Sequence, residues 1–364
     1  MNMMEKNSNL ANKEFYKSKR VFVTGHTGFK GAWLTAVLHE LGAEVTGYAL
    51  APDAGCLFQK MGGDTMMHHV VGDVRDYEHI KSVLLEARPE IVLHLAAQAI
   101  VKDCFDNPHY AYETNVMGTV NLFEAIRQCD SVKSVVVITT DKVYENKGDG
   151  AVYVEGDPLG GIDPYSSSKT CMEYISDTYK RSYLQVEGRM VGVSTVRASN
   201  VLGGGDHIQS RLIPSILNSI AAGKPVELRN PHQTRPWQSV LDALNGYLTI
   251  GRLMAKEPEK YSSQWNIGPT LDGIKDVLWV VSKMQEHYAN AEYVVGDTFA
   301  VTESKTLGLD IQKSLAKLDW EPILSCDKML YNIVEFFKLQ QSGVSERDIC
   351  SKQIREFFQI EQEQ

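Results

Sequence analysis

The sequence predicts an α/β fold with a doubly wound parallel sheet and a smaller C-terminal lobe that binds substrate. Three observations support this prediction. Short β-branched runs alternate with longer helix-like segments from Arg20 onward, each run is apolar along both faces, and a glycine-rich turn follows the first run. Runs that are apolar on both faces are typical of parallel strands covered by helices on both sides. The alternation therefore predicts repeated βαβ units.

Six strands of this sheet are predicted, at residues 20–25, 44–50, 68–74, 90–97, 133–140 and 193–197. The segment 31–43 between the first two has apolar residues at helical spacing, which is typical of a crossover helix. After the sixth strand the alternation breaks at the glycine triplet 203–205 and at the Pro- and Arg-rich segment 229–238. This break indicates the start of a different architecture.

The composition excludes several classes of protein. The 364 residues include 37 Lys and Arg against 46 Asp and Glu, a net charge of −9 that does not favour nucleic acid as a partner. The six cysteines contain no C-x-x-C pair, so neither a disulfide framework nor a metal site is expected, and a reducing cytoplasm is the predicted location. The N-terminus lacks a signal-peptide core, and no apolar run approaches the ~20 residues that span a membrane.

The turn after the first strand predicts a dinucleotide site. Gly25, Gly28 and Gly31 have the spacing G-x-x-G-x-x-G between a strand and a helix start. Glycines at such a turn let the backbone approach a pyrophosphate, which the amides of the helix N-terminus then bind. Such a triplet also occurs in ordinary tight turns. Its position after the first strand of a βαβ pattern favours a Rossmann-type dinucleotide domain.

We therefore predict two domains and a tail. Residues 17–200 and 237–263 are predicted to form the dinucleotide-binding domain, and residues 201–236 and 264–364 the substrate-binding lobe. The polar segment 1–16 is predicted to be a flexible tail.

The residues at the ends of the second and third strands indicate which dinucleotide binds, NAD or NADP. No acidic residue ends the second strand, where a carboxylate would bind the ribose of NAD. Asp53, just beyond the strand, could be the carboxylate that binds the ribose, or it could be a solvated turn residue. No arginine stands there for a 2′-phosphate, so NAD is favoured over NADP. Asp73 at the end of the third strand is predicted to contact adenine, the alternative being a helix N-cap.

The pair Tyr165 and Lys169 is the strongest signal for catalysis. Residues four apart lie on one helix face, so the ammonium can lower the pKa of the phenol and bind the nicotinamide ribose. A lone Y-x-x-x-K arises by chance in many helices. Here it follows the polar segment Thr139 to Lys142 at the end of the fifth strand, and the dinucleotide turn, in an order that chance does not explain.

These motifs together resemble the extended short-chain dehydrogenase/reductases, and more narrowly the nucleotide-sugar 4,6-dehydratases, above all those that act on CDP-glucose. The segments that carry the resemblance span residues 19–270, with a further one near the end. They are VFVTGHTGFKGAWL, HLAAQ, TNVMGTVNLFEAIR, ITTDKVYEN, GGIDPYSSSK, RASNVLGGGD, RLIPSI, RNPHQTRPWQSVLDALNGYL and DICSKQIREFF.

The resemblance implies a redox-neutral, NAD-dependent hydro-lyase. Such enzymes oxidise the sugar at C4, eliminate water across C5 and C6, and return the hydride to C6 with reprotonation at C5. It implies that Tyr165 is the base at the C4 hydroxyl, with Thr140 and Lys169 beside it. Asp141 would then be the acid toward the C6 hydroxyl and Lys142 the base at C5, which requires that burial near Lys169 favour its neutral form. The alternative is an ion pair of Lys142 with Asp141 or Glu155 that only holds the loop.

The remaining predicted residues bind cofactor or substrate. Guanidinium groups can engage phosphate oxygens with two parallel hydrogen bonds, which makes the arginines after position 200 candidates for the nucleotide diphosphate. The predicted substrate-binding residues are Gln98, Asn200, Arg211, Arg229 and Arg235. The predicted cofactor-binding residues are Gly25, Thr27, Gly28, Phe29, Lys30, Gly31, Asp73, Val74, Leu95, Ala96, Ala97, Thr114, Tyr165 and Lys169.

Two further expectations concern activity and assembly. A 4-epimerase or 4-ketoreductase on the same fold would need only the Thr, Tyr and Lys, and it remains the alternative function. A redox-sensing protein that binds a dinucleotide without turnover would need neither Tyr165 nor Lys169. The segments 114–127 and 165–184 resemble the helices that form a four-helix dimer interface in this superfamily, so a homodimer or a dimer of dimers is predicted.

Overall fold

A parallel sheet forms the centre of the protein in the computed structural model, which describes residues 8–146, 148, 150–228, 230–288, 292–296 and 308–360. Within these ranges the strands, numbered β1 to β16 in chain order, are Arg20–Thr24, Glu44–Ala49, His68–Val71, Ile91–His94, Ser134–Ile138, Val152–Tyr153, Gln185–Val186, Arg189–Met190, Gly192–Ala198, Asn200–Leu202, Val226–Leu228, Thr234–Ser239, Gln264–Ile267, Ile274–Asp276, Tyr293–Val295 and Gly308–Leu309.

The helices cover both faces of this sheet and build the lobe beside it. Within the same described ranges the α-helices, numbered α1 to α15, are Ser8–Tyr16, Phe29–Glu40, Leu57–Lys60, Tyr77–Ala87, Val101–Asp106, Pro108–Tyr112, Gly118–Arg127, Pro164–Tyr179, Leu212–Ala221, Val240–Lys256, Pro258–Tyr261, Val277–Gln285, Gln312–Lys317, Cys326–Gln341 and Glu346–Phe358. Single 3-10 or π turns lie at Gly63–Thr65, Glu113–Met117, Asp141–Val143, Lys180–Leu184 and Leu271–Gly273.

The main sheet has the strand order β13-β9-β5-β4-β1-β2-β3, and each neighbouring pair is parallel. The chain proceeds outward in opposite directions from β1, since β2 lies on one side and β4 on the other. This switch point places a crevice at the carboxyl ends of the strands, where ligands of doubly wound sheets bind. The predicted doubly wound fold is therefore confirmed.

Alternate residues of each strand feed two cores on opposite faces of the sheet. Val21 and Val23 of β1 pack in one core with α2 and α10, whereas Phe22 packs in the other with α4, α7 and α8. Both faces are thus covered, which explains why the strands are apolar on both sides rather than alternating.

The lobe has its own small core. Strands β10, β12 and β14 form a sheet, and helices α9, α12 and α14 pack around it. Its buried side chains include Ile213, Trp237, Val280 and Ile333.

Two elements differ from the predicted boundary at residue 264. The strand Gln264–Ile267 pairs in parallel with β9 and is the edge strand of the main sheet, so it belongs to the dinucleotide-binding domain. The last helix packs against α2 of the dinucleotide domain, where Ser351 and Arg355 both donate to the carboxylate of Glu40. The predicted division is therefore wrong for these two segments.

The prediction of a flexible tail over 1–16 is wrong from residue 8 onward. Residues 8–16 form α1, which packs on α10 through buried polar side chains. Asn12 Nδ2 donates to Asn245 Oδ1 (2.8 Å) and Thr249 Oγ1 (3.0 Å), and Asn12 Oδ1 accepts from Arg252 Nε (2.9 Å). Tyr16 adds a bond from its hydroxyl to the Leu248 carbonyl (2.8 Å). Polar residues form this contact, so the usual apolar signal of a packed helix was missing from the sequence.

We expect Asn12→Ala to lower the free energy of unfolding by about 2 kcal/mol, because it leaves a buried guanidinium nitrogen of Arg252 without its partner. Glu14→Ala on the exposed side of the same helix is the matched control and should change it by less than ~0.5 kcal/mol. Equilibrium denaturation of both variants measures the difference. Equal small effects would show that the contacts of Asn12 do not contribute to stability.

Candidate active site

A cavity of about 700 Å³ lies at the carboxyl ends of the central strands, between the sheet and the lobe. Most of the predicted site residues line it. They are Gly25, Thr27, Gly28, Phe29, Lys30, Gly31, Asp73, Val74, Leu95, Ala96, Ala97, Gln98, Thr114, Thr140, Asp141, Lys142, Tyr165, Asn200, Arg211 and Arg235. Lys169 is buried below the cavity rather than on its wall, and Arg229 lies outside the described residues.

The glycine turn brings the backbone close to the cavity. Gly25 has φ +74°, and a Cβ there would lie 2.6 Å from the Ala96 nitrogen. A Cβ on Gly31 would lie 2.2 Å from the Gly25 carbonyl oxygen, so neither position accepts a side chain. Gly28 is the N-cap of α2 and no side chain caps the helix. The first amides of α2 are thus available to an anion in the cavity.

The chemistry of this wall fits a dinucleotide. Thr114 is buried, yet its Oγ1 has no hydrogen-bond partner among the described residues. Such a group usually has one, so an unpaired hydroxyl beside a cavity indicates a bond to a ligand. Together with the uncapped helix start, it matches a ligand that carries a diphosphate and ribose hydroxyls.

At the end of the third strand, Asp73 was predicted either to contact adenine or to cap the next helix, and it does not cap that helix. Asp76, not Asp73, caps the next helix, since its carboxylate accepts from the His79 amide. The Asp73 carboxylate instead binds Arg75 through Nε (3.0 Å) and Nη2 (2.6 Å), and this pair lowers the pKa of Asp73. Asp53 lines the cavity with an exposed side chain. Contact of either residue with the cofactor stays a prediction.

The fourth strand end is held by a buried histidine. His94 Nδ1 lies 2.7 Å from Thr24 Oγ1 and His94 Nε2 lies 3.1 Å from Thr119 Oγ1. Burial lowers the pKa of His94 to about 3, so the ring is neutral. Thr24 also accepts from the Ala96 amide (3.2 Å), which fixes the backbone that faces the cavity.

Tyr165 and Lys169 share one face of α8, and burial shifts the pKa of each. Burial raises the pKa of Tyr165 to about 12, opposed by a hydrogen bond with Thr140 and by the charge of Arg211. Lys169 Nζ donates to the Ile138 carbonyl (3.0 Å) instead. Burial first, and then the nearby Lys30, lower the pKa of Lys169 to about 7. Burial therefore dominates the pKa of both side chains, and a lowering of the phenol pKa by the Lys169 ammonium stays a prediction.

The segment after β5 presents three polar side chains to the cavity. Thr140 precedes the 3-10 turn Asp141–Val143, and its hydroxyl donates to Asp141 Oδ1 (3.0 Å). Burial raises the pKa of the Asp141 carboxyl, although Lys142, Thr140 and Arg235 oppose this shift. Lys142 is half-buried. Glu155, one of the two predicted alternative partners of Lys142, accepts a hydrogen bond at Oε1 from the Asn266 amide (3.0 Å). A carboxyl group and an amine from neighbouring residues thus line the same cavity as Tyr165, which is hydrogen-bonded to the adjoining Thr140.

Two arginines reach the cavity from the lobe. Arg211 is the N-cap residue of α9, and its Nη1 donates to Asp206 Oδ2 (3.1 Å). Arg235 extends from β12 and is 7% exposed. Both line the same cavity as the glycine turn, and the charge of Arg211 contributes to lowering the pKa of Lys30 in that turn.

A buried ion pair that was not predicted from the sequence supports this site from below. Glu173 and Arg197 form an ion pair whose side chains are each 3% exposed, with Nη2 and Oε2 3.0 Å apart. Thr139 Oγ1 donates to Glu173 Oε1 (2.6 Å), and Arg197 Nη1 donates to the Tyr144 hydroxyl (2.9 Å). The available signals were a glutamate one helical turn after Lys169 and a charged residue inside an otherwise apolar strand.

The lining also includes Gln233, Trp237 and Val277 of the lobe, which were not predicted. No group of three or more His, Cys, Asp or Glu side chains that could hold a metal occurs in the part of the chain that the structure describes.

None of the described helices is long and apolar enough to cross a membrane.

Comparison with known proteins defines the class and then the family. The family model described as GDP-mannose 4,6 dehydratase matches residues 22–333. A CDP-glucose 4,6-dehydratase of Salmonella typhimurium is 41% identical over 348 residues, which cover 94% of this chain and 97% of the relative. A dTDP-glucose 4,6-dehydratase of Xanthomonas campestris is 24% identical, over 88% of this chain and 94% of the relative.

Solved structures share the fold. An epimerase from Methanothermobacter thermautotrophicus has a TM-score of 0.78 at 22% identity, covering 92% of this chain and 96% of its own. A dTDP-glucose 4,6-dehydratase from Bacillus anthracis, in complex with NAD, has a TM-score of 0.73 at 23% identity, covering 88% and 97%. The fold is therefore that of the extended short-chain dehydrogenase/reductases. Within this class, the chain belongs to the nucleotide-sugar 4,6-dehydratase family.

We expect Gly25→Ala to weaken NAD binding by at least ~10-fold, since the left-handed backbone would be strained by about 1–3 kcal/mol and the new methyl would displace Ala96. Gly188→Ala is the matched control, with φ +81° and open space around the new methyl. It should cost stability but leave NAD affinity unchanged. Calorimetric titration of both folded variants with NAD separates these effects, and equal affinities would contradict the assignment of the turn.

Proposed function

We propose that this protein converts a nucleotide-diphosphate hexose, specifically CDP-glucose, into its 4-keto-6-deoxy derivative with NAD as cofactor. One observation carries the proposal: Asp141 and Lys142 line a single cavity together with Thr140 and Tyr165 at the carboxyl ends of the strands. The relative from Salmonella typhimurium, at 41% identity over nearly the whole chain, supports the reaction and the base of the substrate.

The glycine turn and Thr114 would hold NAD along the sheet side of the cavity. When bound, NAD supplies a hydride acceptor at C4 of the sugar and later a donor at C6, so that the overall reaction is redox-neutral. Lys169, buried behind Tyr165 with its pKa lowered to about 7, would contact the nicotinamide ribose. The positive charge of an oxidised nicotinamide ring nearby would further favour the neutral form of Lys169.

The oxidation step assigns Tyr165 and Thr140. Tyr165 accepts the proton of the C4 hydroxyl as the base, and its hydrogen bond with the Thr140 side chain lowers the pKa of the phenol. Because burial holds the pKa of Tyr165 at about 12, proximity of positive charge in the complex must bring it down.

The elimination step assigns Asp141 and Lys142. The ketone at C4 acidifies the C5 hydrogen, which Lys142 removes as the base. Asp141 gives its proton to the C6 hydroxyl, which leaves as water. A buried carboxyl with a raised pKa keeps its proton to a higher pH, which suits it to the role of acid. An epimerase or ketoreductase on this fold has no need of this second acid and base.

The lobe would bind the nucleotide. Arg211 and Arg235 can each offer paired N–H groups to the diphosphate, and the amides at the start of α9 lie beside Arg211. Trp237, Val277 and Pro214 give an apolar wall for the base, with Gln233 as a polar group.

A homodimer through α7 and α8 remains a prediction. Its support is a set of exposed large side chains on α8, at the end of α6 and in the turns that flank α7 and α8, namely Tyr112, Met117, Tyr174 and Tyr183. Such a set is the kind of surface that a second copy covers. The cytoplasmic location inferred from the cysteine pattern likewise remains a prediction.

We expect CDP-glucose to be the best substrate in a panel of nucleotide-glucoses incubated with NAD well below the substrate concentration. The product should be the 4-keto-6-deoxy sugar nucleotide, and the absorbance of NADH should not accumulate with turnover, because the hydride returns to each product molecule. Mass spectrometry and absorbance at each time point measure both. Formation of a C4 epimer, or steady accumulation of NADH, would instead favour the epimerase or a simple dehydrogenase.

We expect Asp141→Asn and Lys142→Met to retain NAD binding and C4 oxidation, since Tyr165 and Thr140 remain, but to lose at least ~100-fold in product formation. Single-turnover absorbance of the reduced nicotinamide, beside a product assay, separates the two steps. Tyr165→Phe is the contrasting variant and should show no transient reduced nicotinamide. Dehydration at near-normal rates by both strand-end variants would remove Asp141 and Lys142 from the mechanism.

A further inference from the structure

We propose that Tyr144 is a positioning residue for the elimination step, through bonds that anchor the turn carrying Asp141 and Lys142. The inference rests on the proposed function, because it assigns a role within that reaction. Tyr144 does not line the cavity, and it is 1% exposed. Its effect must therefore pass through the residues that it holds.

The turn is anchored at both ends by one buried ion pair. At its start, Thr139 Oγ1 donates to Glu173 Oε1 (2.6 Å). At its end, the Tyr144 hydroxyl accepts from Arg197 Nη1 (2.9 Å) and donates to Asn266 Oδ1 (2.6 Å). Arg197 and Glu173 join these two anchors by paired bonds of 3.1 and 3.0 Å.

The residues between the anchors have little freedom. Asp141–Val143 form a single 3-10 turn, and the Val143 carbonyl accepts from the Gly160 amide (2.9 Å). Thr170 Oγ1 donates to the same carbonyl (3.4 Å). The directions of the Asp141 and Lys142 side chains therefore depend on where the two ends of the turn are held.

The two anchors serve different catalytic pairs. Glu173 lies one helical turn after Lys169 on α8, so the Thr139 anchor is continuous with the helix that carries Tyr165 and Lys169. The Tyr144 anchor lies beyond Asp141 and Lys142 and connects them to β9 and β13 through Arg197 and Asn266. Loss of the Tyr144 hydroxyl alone should thus misplace the acid and base of elimination and leave the oxidation pair in place.

Tyr144→Phe isolates that hydroxyl. The ring keeps its stack on Tyr153, with centroids 5.1 Å apart, and keeps the Arg197 guanidinium 4.8 Å above it. Arg197 keeps Glu173 and the Glu155 carbonyl (3.0 Å) as acceptors. Tyr153→Phe is the matched control, because it removes a hydroxyl from the other ring of the same stack while the bonds among Tyr144, Arg197 and Asn266 remain.

The experiment is single-turnover kinetics of each holoenzyme with the substrate that the wild type converts. We expect Tyr144→Phe to keep the rate of nicotinamide reduction within ~2-fold and to slow product formation by ~10-fold or more, so that reduced nicotinamide accumulates transiently. Tyr153→Phe should keep both rates within ~2-fold. A general loss of fold would lower both rates of Tyr144→Phe together, and thermal unfolding of each variant tests this directly.

A second variant acts from the other anchor in case Tyr144→Phe does not fold. Thr139→Val should slow nicotinamide reduction as well as product formation, and Thr139→Ser, which keeps the hydroxyl, should restore both. Equal slowing of both steps by Tyr144→Phe, unchanged product formation, or the same result for Tyr153→Phe would overturn the positioning role. If the wild type yields no 4-keto-6-deoxy product from any nucleotide-glucose, the proposed function is wrong, and the role of Tyr144, which rests on it, is wrong as well.

Discussion

The ion pair between Glu173 and Arg197 is the contact on which the arrangement of the site depends. Removing two charges from water costs several kcal/mol per ion, so a pair this buried persists only where further hydrogen bonds satisfy it. Here they do: Thr139 and Thr195 donate to the carboxylate, and Arg197 donates to Tyr144 and to the Glu155 carbonyl. Loss of one charged partner would leave the other buried and unpaired, at about 3–5 kcal/mol. The pair therefore specifies one geometry for β5, β9 and α8 more than it adds stability.

That geometry explains how groups from separate elements act in one place. Tyr165 comes from α8, Asp141 and Lys142 from the turn after β5, and Arg235 from the lobe. A parallel sheet brings the first three to one edge because all its strands end there. The edge alone would not fix side-chain directions to the fraction of an ångström that proton transfer requires, and the buried polar network below it supplies that constraint.

Prediction from sequence succeeded where the signal is local. The apolar runs around Phe22 and Val136 and the spacing of the glycines from Gly25 are determined by near neighbours in the chain, and the sheet, the turn and most of the cavity lining followed from them. It failed where distant segments decide. Asn12 gives α1 a polar signature because its partners lie on α10, more than 230 residues away. Likewise the pKa of Tyr165 depends on how the whole fold buries it, which a spacing of four residues does not reveal.

Burial also changes what the cavity can do with protons. It lowers the pKa of Lys169 to about 7 and that of Lys30 to about 8, while it raises the pKa of Asp141. Shifts of this sign favour the neutral form of each group, so that the lysines lose a proton, and the carboxyl keeps one, more readily than in water. A redox-neutral dehydration requires this, because every proton that leaves the sugar during oxidation and elimination has a counterpart that must be delivered within the same cycle. A more exposed site would separate these pKa values again and would favour only one direction of transfer.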